Sequence, residues 1–351
     1  MACEPLKVGA MGLNEQVDEL LELAWRDERF TITSVADEDT SRAQATARRY
    51  ECTASEDYRR LIIQNQLDVL FVGAPVHSCI DYLRAALQKK FHILKTVPAA
   101  VNFEQCAELV GLARKEGVHF VPVLPGRFEP MQERLRGQLS SPDAESWHLI
   151  TAVCHIPAGP MPAERRWLQD PQLAGGGVLM WNAYDLIDEI ILSFGLSQQV
   201  YALLTNQAPD RQQRMSLTED TAIVSLRFSD TLVAQICASR TLGPARRHLR
   251  IHGTERVLTL TREEFLVCDH QGNVLEHVIF GPERIHGLKD LLENFVCAVL
   301  QPDGCKLWPG PQADLKTMAV VESAYLSART AMPEAPPRLL ELARAGTAGL
   351  W

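Results

Sequence analysis

At 351 residues the chain is long enough for two domains of ordinary size, and its 46% apolar residues suffice to fill their cores. A formal charge of −9 excludes a nucleic-acid surface, which needs clustered Lys and Arg rather than a general acidic excess. No apolar run approaches the roughly 20 residues of a membrane span, and the N-terminus lacks the charged and apolar regions of a signal peptide. A soluble, cytoplasmic protein is expected. The cysteines (Cys3, Cys52, Cys79, Cys106, Cys154, Cys237, Cys268, Cys297 and Cys305) form an odd set without a C-x-x-C pair, so reduced, mostly buried thiols and no metal site are expected.

Along residues 7–123 short apolar runs alternate with amphipathic segments. Lys7–Met11, Phe30–Ala36, Val69–Ala74, His92–Leu94 and Val118–Val123 are predicted as buried parallel strands, being short, β-branched and bounded by turn residues. Val17–Glu28, Ser41–Tyr50, Ser78–Lys89 and Phe103–Glu116 carry helical periodicity, with Asn102 a candidate N-cap and Gly117 a C-terminal stop. This is the pattern of a doubly wound sheet, whose ligands bind beyond the carboxyl ends of the strands. Its first turn would carry a G-x-G-x-x-G loop in a dinucleotide-binding chain; here Gly12 is kept, and the second and third glycine positions are Asn14 and Val17. Asp37, ending the second strand, suits the ribose hydroxyls of NAD and would repel the phosphate of NADP. Its plainer reading is a helix cap.

After about residue 147 the pattern changes. Segments His148–Cys154, Val200–Asn206, Thr221–Phe228, Thr231–Ser239, Arg247–Gly253, Arg256–Leu260, Glu264–Cys268 and Val274–Ile279 alternate at short spacing, which predicts a large antiparallel sheet. Helices at Asn182–Phe194, Gly287–Leu300 and Ala313–Arg329 should cover one face, and Pro333-Glu334-Ala335-Pro336-Pro337 should end the fold. The basic cluster from Arg240 to Arg250 reads as a solvated hairpin. Strands near 221–239 are apolar at both parities, so self-association through the outer sheet face is expected. The fold class is therefore an α/β Rossmann domain (1–124) followed by an α+β domain with a large open antiparallel sheet (125–351).

Several local motifs, in order, make the chain resemble the Gfo/Idh/MocA family of NAD(P)-dependent oxidoreductases acting mostly on sugars and cyclitols. They are Ser34-Val35-Ala36-Asp37, Asp68-Val69-Leu70-Phe71-Val72-Gly73-Ala74-Pro75, Ala85-Ala86-Leu87 before His92-Ile93-Leu94, and Arg127-Phe128-Glu129-Pro130. Then follow Gly175-Gly176-Gly177-Val178-Leu179, Glu219-Asp220-Thr221-Ala222 and Ile251-His252-Gly253-Thr254-Glu255. The resemblance implies NAD(H) contacts at Gly12, Asn14, Asp37, Ala74, Pro75, Thr96 and Pro98. It places Arg127, Trp167, Trp181 and Asp188 around a small-molecule pocket, and it implies a homo-oligomer built on the C-terminal sheet.

The residues that the family uses for chemistry are replaced. Its E-K-P motif reads Thr96-Val97-Pro98, and Val97 can neither donate a hydrogen bond nor move a proton. Its aspartate and histidine on one helix face read Trp181 and Asp185, in a register pinned by the glycine triplet and Asp188. Its histidine after the fourth strand is Cys79, with His77 two residues earlier. Candidate substitutes are Lys95, Asp185 and Tyr184. Lys95 is a solvated strand-end lysine or reaches a cleft; Asp185 is a relocated base or pairs with Arg165 or Arg166. Trp181 fills the pocket or stacks on a ligand, the former being preferred, and Trp167 is a second lining candidate. Trp308 and Trp351 read as core or edge residues. Two functions follow: a catalytically degenerate protein binding a dinucleotide or sugar-like ligand as sensor, scaffold or partner subunit, or an oxidoreductase with relocated acid–base groups.

Overall fold

The computed structural model describes residues 4–55, 57–140, 146–157, 159, 163–206, 218–241, 243–281 and 285–346; Cys3 and Trp351 lie outside them. The chain divides into two compact units, Met1–Leu124 with Leu288–Pro311 and Gly346–Trp351, and Pro125–Gly287 with Gln312–Ala345. The expected second domain, 125–351, is thereby corrected, because segment 288–311 belongs with the first. Its Phe295 packs edge-on to the rings of His92 and His119.

The first unit alternates β1 (Leu6–Met11), α1 (Glu15–Trp25), β2 (Phe30–Ala36), α2 (Thr40–Arg49), β3 (Thr53–Ser55), α3 (Tyr58–Gln64), β4 (Val69–Val72), α4 (Val76–Gln88), β5 (His92–Thr96), α5 (Phe103–Glu116) and β6 (Phe120–Val123). The six strands pair in parallel in the order β3-β2-β1-β4-β5-β6. Every residue of β4 is inaccessible to solvent, as a strand covered on both faces requires. Strand order reverses between β1 and β4, so the crevice for a ligand opens beyond their carboxyl ends. The α5 boundaries follow from its caps: the Asn102 side chain accepts the Gln105 N–H, and Gly117 is left-handed at φ 71°.

In the second unit α6 (Pro130–Leu139) precedes β7 (Trp147–His155), then α7 (Pro171–Ala174), α8 (Val178–Trp181) and α9 (Tyr184–Phe194). Strands β8 (Gln199–Thr205), β9 (Thr221–Arg227), β10 (Val233–Ser239), β11 (Arg246–Gly253), β12 (Arg256–Leu260), β13 (Glu264–Asp269) and β14 (Val274–Ile279) follow. Helix α10 (Ile285–Leu300) leads back to the first unit, and α11 (Gln312–Thr330) and α12 (Pro336–Gly346) close the chain. The eight strands lie in the order β14-β13-β12-β11-β7-β10-β9-β8. The sheet is mixed rather than wholly antiparallel, because β10 runs parallel to β7. The helical crossover after β7 permits that pairing, which no hairpin could supply. One sheet face is core, with Ile150, Ile236, Leu249, Ile251 and Leu258 buried, as are Leu186 and Ile190 of α9 and Leu315 and Met318 of α11.

Four expectations are corrected. The helix expected from Asn182 begins at Tyr184, since Asn182 (φ −124°) and Ala183 (ψ 0°) break it from α8. Pro336 does not end the fold but starts α12 near its N-terminus, where a missing N–H costs nothing. Arg246 to Arg250 lie inside β11 rather than in a hairpin. Cys297 and Cys305 are bonded as a disulfide, their Cα atoms 5.7 Å apart, whereas Cys52, Cys79, Cys106, Cys154, Cys237 and Cys268 are free.

Candidate functional site

In the first unit the site residues sit beyond β1, β2, β4 and β5. Gly12 closes β1 at φ 70°, and any side chain there would run into the Ala74 backbone, so the turn after β1 lies directly on the turn after β4. Leu13 is held on both sides of its own backbone. Its N–H donates to Asp37 Oδ2 at 2.6 Å, and its carbonyl accepts from Arg42 Nη1 at 2.7 Å. Asp37 Oδ1 accepts the Asp39 N–H at 2.8 Å, while Asp39, not Asp37, caps α2. The Asn14 carboxamide spans the groove between the two turns: Oδ1 accepts the Val17 N–H at 3.0 Å, capping α1, and Nδ2 donates to the Gly73 carbonyl at 3.2 Å. Glu15 and Asp18 occupy the first turn of α1.

Lys95 is neither solvated nor extended into a crevice. It is 2% exposed, and its Nζ donates to the Thr96 carbonyl at 2.8 Å and lies 3.3 Å from Thr96 Oγ1. Burial holds its ammonium below the ordinary lysine range, with the Cys79 thiol the opposing influence. Cys79 itself donates to the Ala74 carbonyl at 3.6 Å, and burial pushes its thiol up to about 11. Thr96 and Pro98 are buried and Val97 half-buried between them, while Ala74 is buried and Pro75 caps α4.

In the second unit Glu219 organises the glycine triplet. Its carboxylate accepts the Gly177 and Leu179 N–H groups at 2.7 and 3.0 Å and the Tyr325 hydroxyl at 2.9 Å. Burial raises its pKa against these donors. The turn so held delivers Trp181 at the end of α8. Trp181 is half-buried, its Nε1 donates to the Ala174 carbonyl at 3.0 Å, and its ring meets Trp167 edge to face at 5.0 Å between centroids. The two tryptophans are brought together.

Asp185 projects from α9 with its side chain 49% exposed and lies 3.5 Å from Arg247 Nε. Arg247, rather than Arg165 or Arg166, is its ionic partner, and Arg247 is also bound to the buried Glu189 at 2.7 Å. Tyr184 is 2% exposed, so its hydroxyl is not presented to solvent. Arg127 and Asp188 are a buried ion pair: two Arg127 nitrogens meet the two Asp188 oxygens at 2.8 and 2.7 Å, and Arg127 Nη2 meets Asp314 at 2.5 Å. Both carboxylates keep the guanidinium charged against the cost of burial. These groups are engaged with one another and with Thr317, leaving neither Arg127 nor Asp188 free for a ligand.

Sequence reasoning gave no role in the site to Glu219, which it met only as the first residue of a family motif, or to Arg247, Asp314 and Tyr325. Arg247 leaves a legible trace, since it shares the inward parity of β11 with Leu249 and Ile251. Among the described residues no cluster of His, Cys, Asp or Glu is arranged to hold a metal ion, and no helix is long and apolar enough to cross a membrane.

The Rossmann scaffold suits a nicotinamide cofactor, and Asp37 retains unused lone pairs for ribose hydroxyls. The turn after β1 does not fit a pyrophosphate as it stands, because the Asn14 carboxamide lies in the groove that such a group would need.

Residues 6–123 match the oxidoreductase family with an NAD-binding Rossmann fold, and residues 147–259 match the Gfo/Idh/MocA C-terminal domain. A dTDP-3,4-didehydro-2,6-dideoxy-alpha-D-glucose 3-reductase of Saccharopolyspora spinosa is 27% identical over 187 residues, 52% of this chain and 54% of that protein. A trans-1,2-dihydrobenzene-1,2-diol dehydrogenase of Xenopus laevis is 30% identical over 156 residues, 44% of this chain and 46% of that protein. The chain thus spans about half the length of the curated relatives it matches. The crystal structure of a putative NADPH-dependent oxidoreductase from Desulfitobacterium hafniense superimposes with a TM-score of 0.82 at 16% identity, over 97% of this chain and 100% of that one. Two domain matches in the right order, carried on the expected pair of sheets, make the chain a member of the Gfo/Idh/MocA oxidoreductase family.

Proposed function

We propose that this chain is a catalytically degenerate member of its family, binding a small sugar-like ligand as a sensor, scaffold or partner subunit. One observation carries the reading: Val97 stands at the lysine position, and Lys95, the nearest candidate to replace it, turns its ammonium back onto Thr96 inside the protein. A missing acid–base group costs about 10²–10⁴-fold in rate. The sugar-nucleotide reductase among the relatives supports the ligand class. Any nicotinamide cofactor is NAD(H) rather than NADP(H), because Asp37 stands where the additional phosphate would go. Exposed apolar residues on the outer face of the second sheet support a homo-oligomer.

A second reading, an active oxidoreductase on a sugar, cyclitol or related carbonyl, draws on Asp185, whose carboxylate is half-exposed and salt-bridged by Arg247. Nicotinamide absorbance, followed with a panel of sugars, cyclitols and their keto forms, separates the two. No turnover is expected. Turnover abolished by Asp185→Asn would establish the second reading instead.

A further inference from the structure

We infer that Asn14 closes the pyrophosphate part of the dinucleotide groove from within, and so sets the chain's affinity for dinucleotides. The amide N–H groups at the start of α1 are the donors that a pyrophosphate would meet at the end of β1. One of them, that of Val17, is already satisfied by Asn14 Oδ1 at 3.0 Å. The other end of the carboxamide is anchored across the groove, at 3.2 Å from the Gly73 carbonyl. Gly73 permits this: a side chain there would approach the Asn14 carboxamide to 2.8 Å.

The turn has little freedom to swing aside, because the Leu13 peptide is clamped by Asp37 on one side and Arg42 on the other. Charge opposes an anion as well. Glu15 and Asp18 lie in the first turn of α1, where the helix dipole would otherwise favour a phosphate. A dinucleotide must therefore break two internal hydrogen bonds, displace the carboxamide and enter beside two carboxylates.

The inference does not depend on the proposed loss of turnover, since a protein can bind NADH tightly and leave it unreacted. The test is an NADH fluorescence titration of the full chain as wild type, Asn14→Gly and Asn14→Ser, with a thermal melt of each. Serine keeps a cap on α1 but cannot reach Gly73, so it guards against a glycine variant that fails to fold. Asn14→Gly is expected to bind NADH roughly tenfold or more tightly than wild type, the scale of losing two competing hydrogen bonds, and Asn14→Ser, which keeps the cap and loses only the bond to Gly73, to bind between the two. Wild-type binding as tight as that of the folded serine variant would overturn the inference while leaving the proposed function intact. Turnover by the wild type would do the reverse.

Discussion

Lys95 and Arg127 are both buried cations, and what each meets decides how removal acts. Arg127 faces Asp188 and Asp314, so Arg127→Ala strands two buried carboxylates and should cost about 3–5 kcal/mol by chemical denaturation. Lys95 faces the neutral oxygens of Thr96 and the Cys79 thiol, with no carboxylate among the described residues bonded to it. Lys95→Met keeps the shape while removing a desolvated amine, and the variant should melt at or above the wild-type temperature. A large loss would mean that the ammonium holds β5 in place. Trp181 falls between these cases. Half-exposed, and joined to Ala174 and Trp167, it should cost about 2 kcal/mol on truncation to alanine, less than a fully buried tryptophan. The sequence singled out positions 127, 181, 185 and 188, yet it could not show their partners. Asp314 lies 187 residues from Arg127, and no local pattern announces a contact at that separation.

At the scale of elements, a pair of histidines at the amino ends of β5 and β6 packs against Phe295 of α10. His92 Nδ1 accepts the His119 N–H at 3.1 Å, and both rings lie against Phe295. Burial, and then the neighbouring His119, push His92 from 6.5 down to about 4. An unfolded chain therefore binds this proton between those values while the folded chain does not. Stability is complete above about pH 6.5 and declines as the pH falls towards 4, by on the order of 2–3 kcal/mol. Urea melts across that range should show the decline, and His92→Gln should flatten it. Elements with strong local signals were legible: β4 from its unbroken apolar run, α5 from Asn102 and Gly117. Weak ones were not. The three-residue β3 is too short for a period, and α12 begins inside a proline cluster that reads as a stop.

For the whole molecule, the outer face of the second sheet exposes a group of large apolar side chains to solvent. Leu203 is 56% exposed, Val233 44% and Ile223 40%, with Tyr201 and Leu149 at 38% each. Leu203 pairs with Ile223, and Val233 with Leu149, so the exposed side chains form rows rather than scattered points. Sedimentation at micromolar concentration should show an oligomer, and Ile223→Asp should shift it towards monomer; a monomeric wild type would remove the idea. The two-domain plan was readable because buried parallel strands and alternating antiparallel strands differ in composition. The single parallel pairing of β7 with β10 was not, since strand neighbours far apart in sequence leave no mark on either strand.

The hold of Glu219 on Gly177 and Leu179 has a consequence for protein engineering. It fixes the path of the chain into α8 through backbone groups, which are indifferent to whatever side chains stand at 181 and 185. Rewriting those two positions, as Trp181→Asp and Asp185→His, gives up the contacts of Trp181 with Ala174 and Trp167 and the pairing of Asp185 with Arg247, but leaves the Glu219 anchor in place. On the proposed reading, the chain offers a frame on which an acid–base pair can be installed one residue at a time.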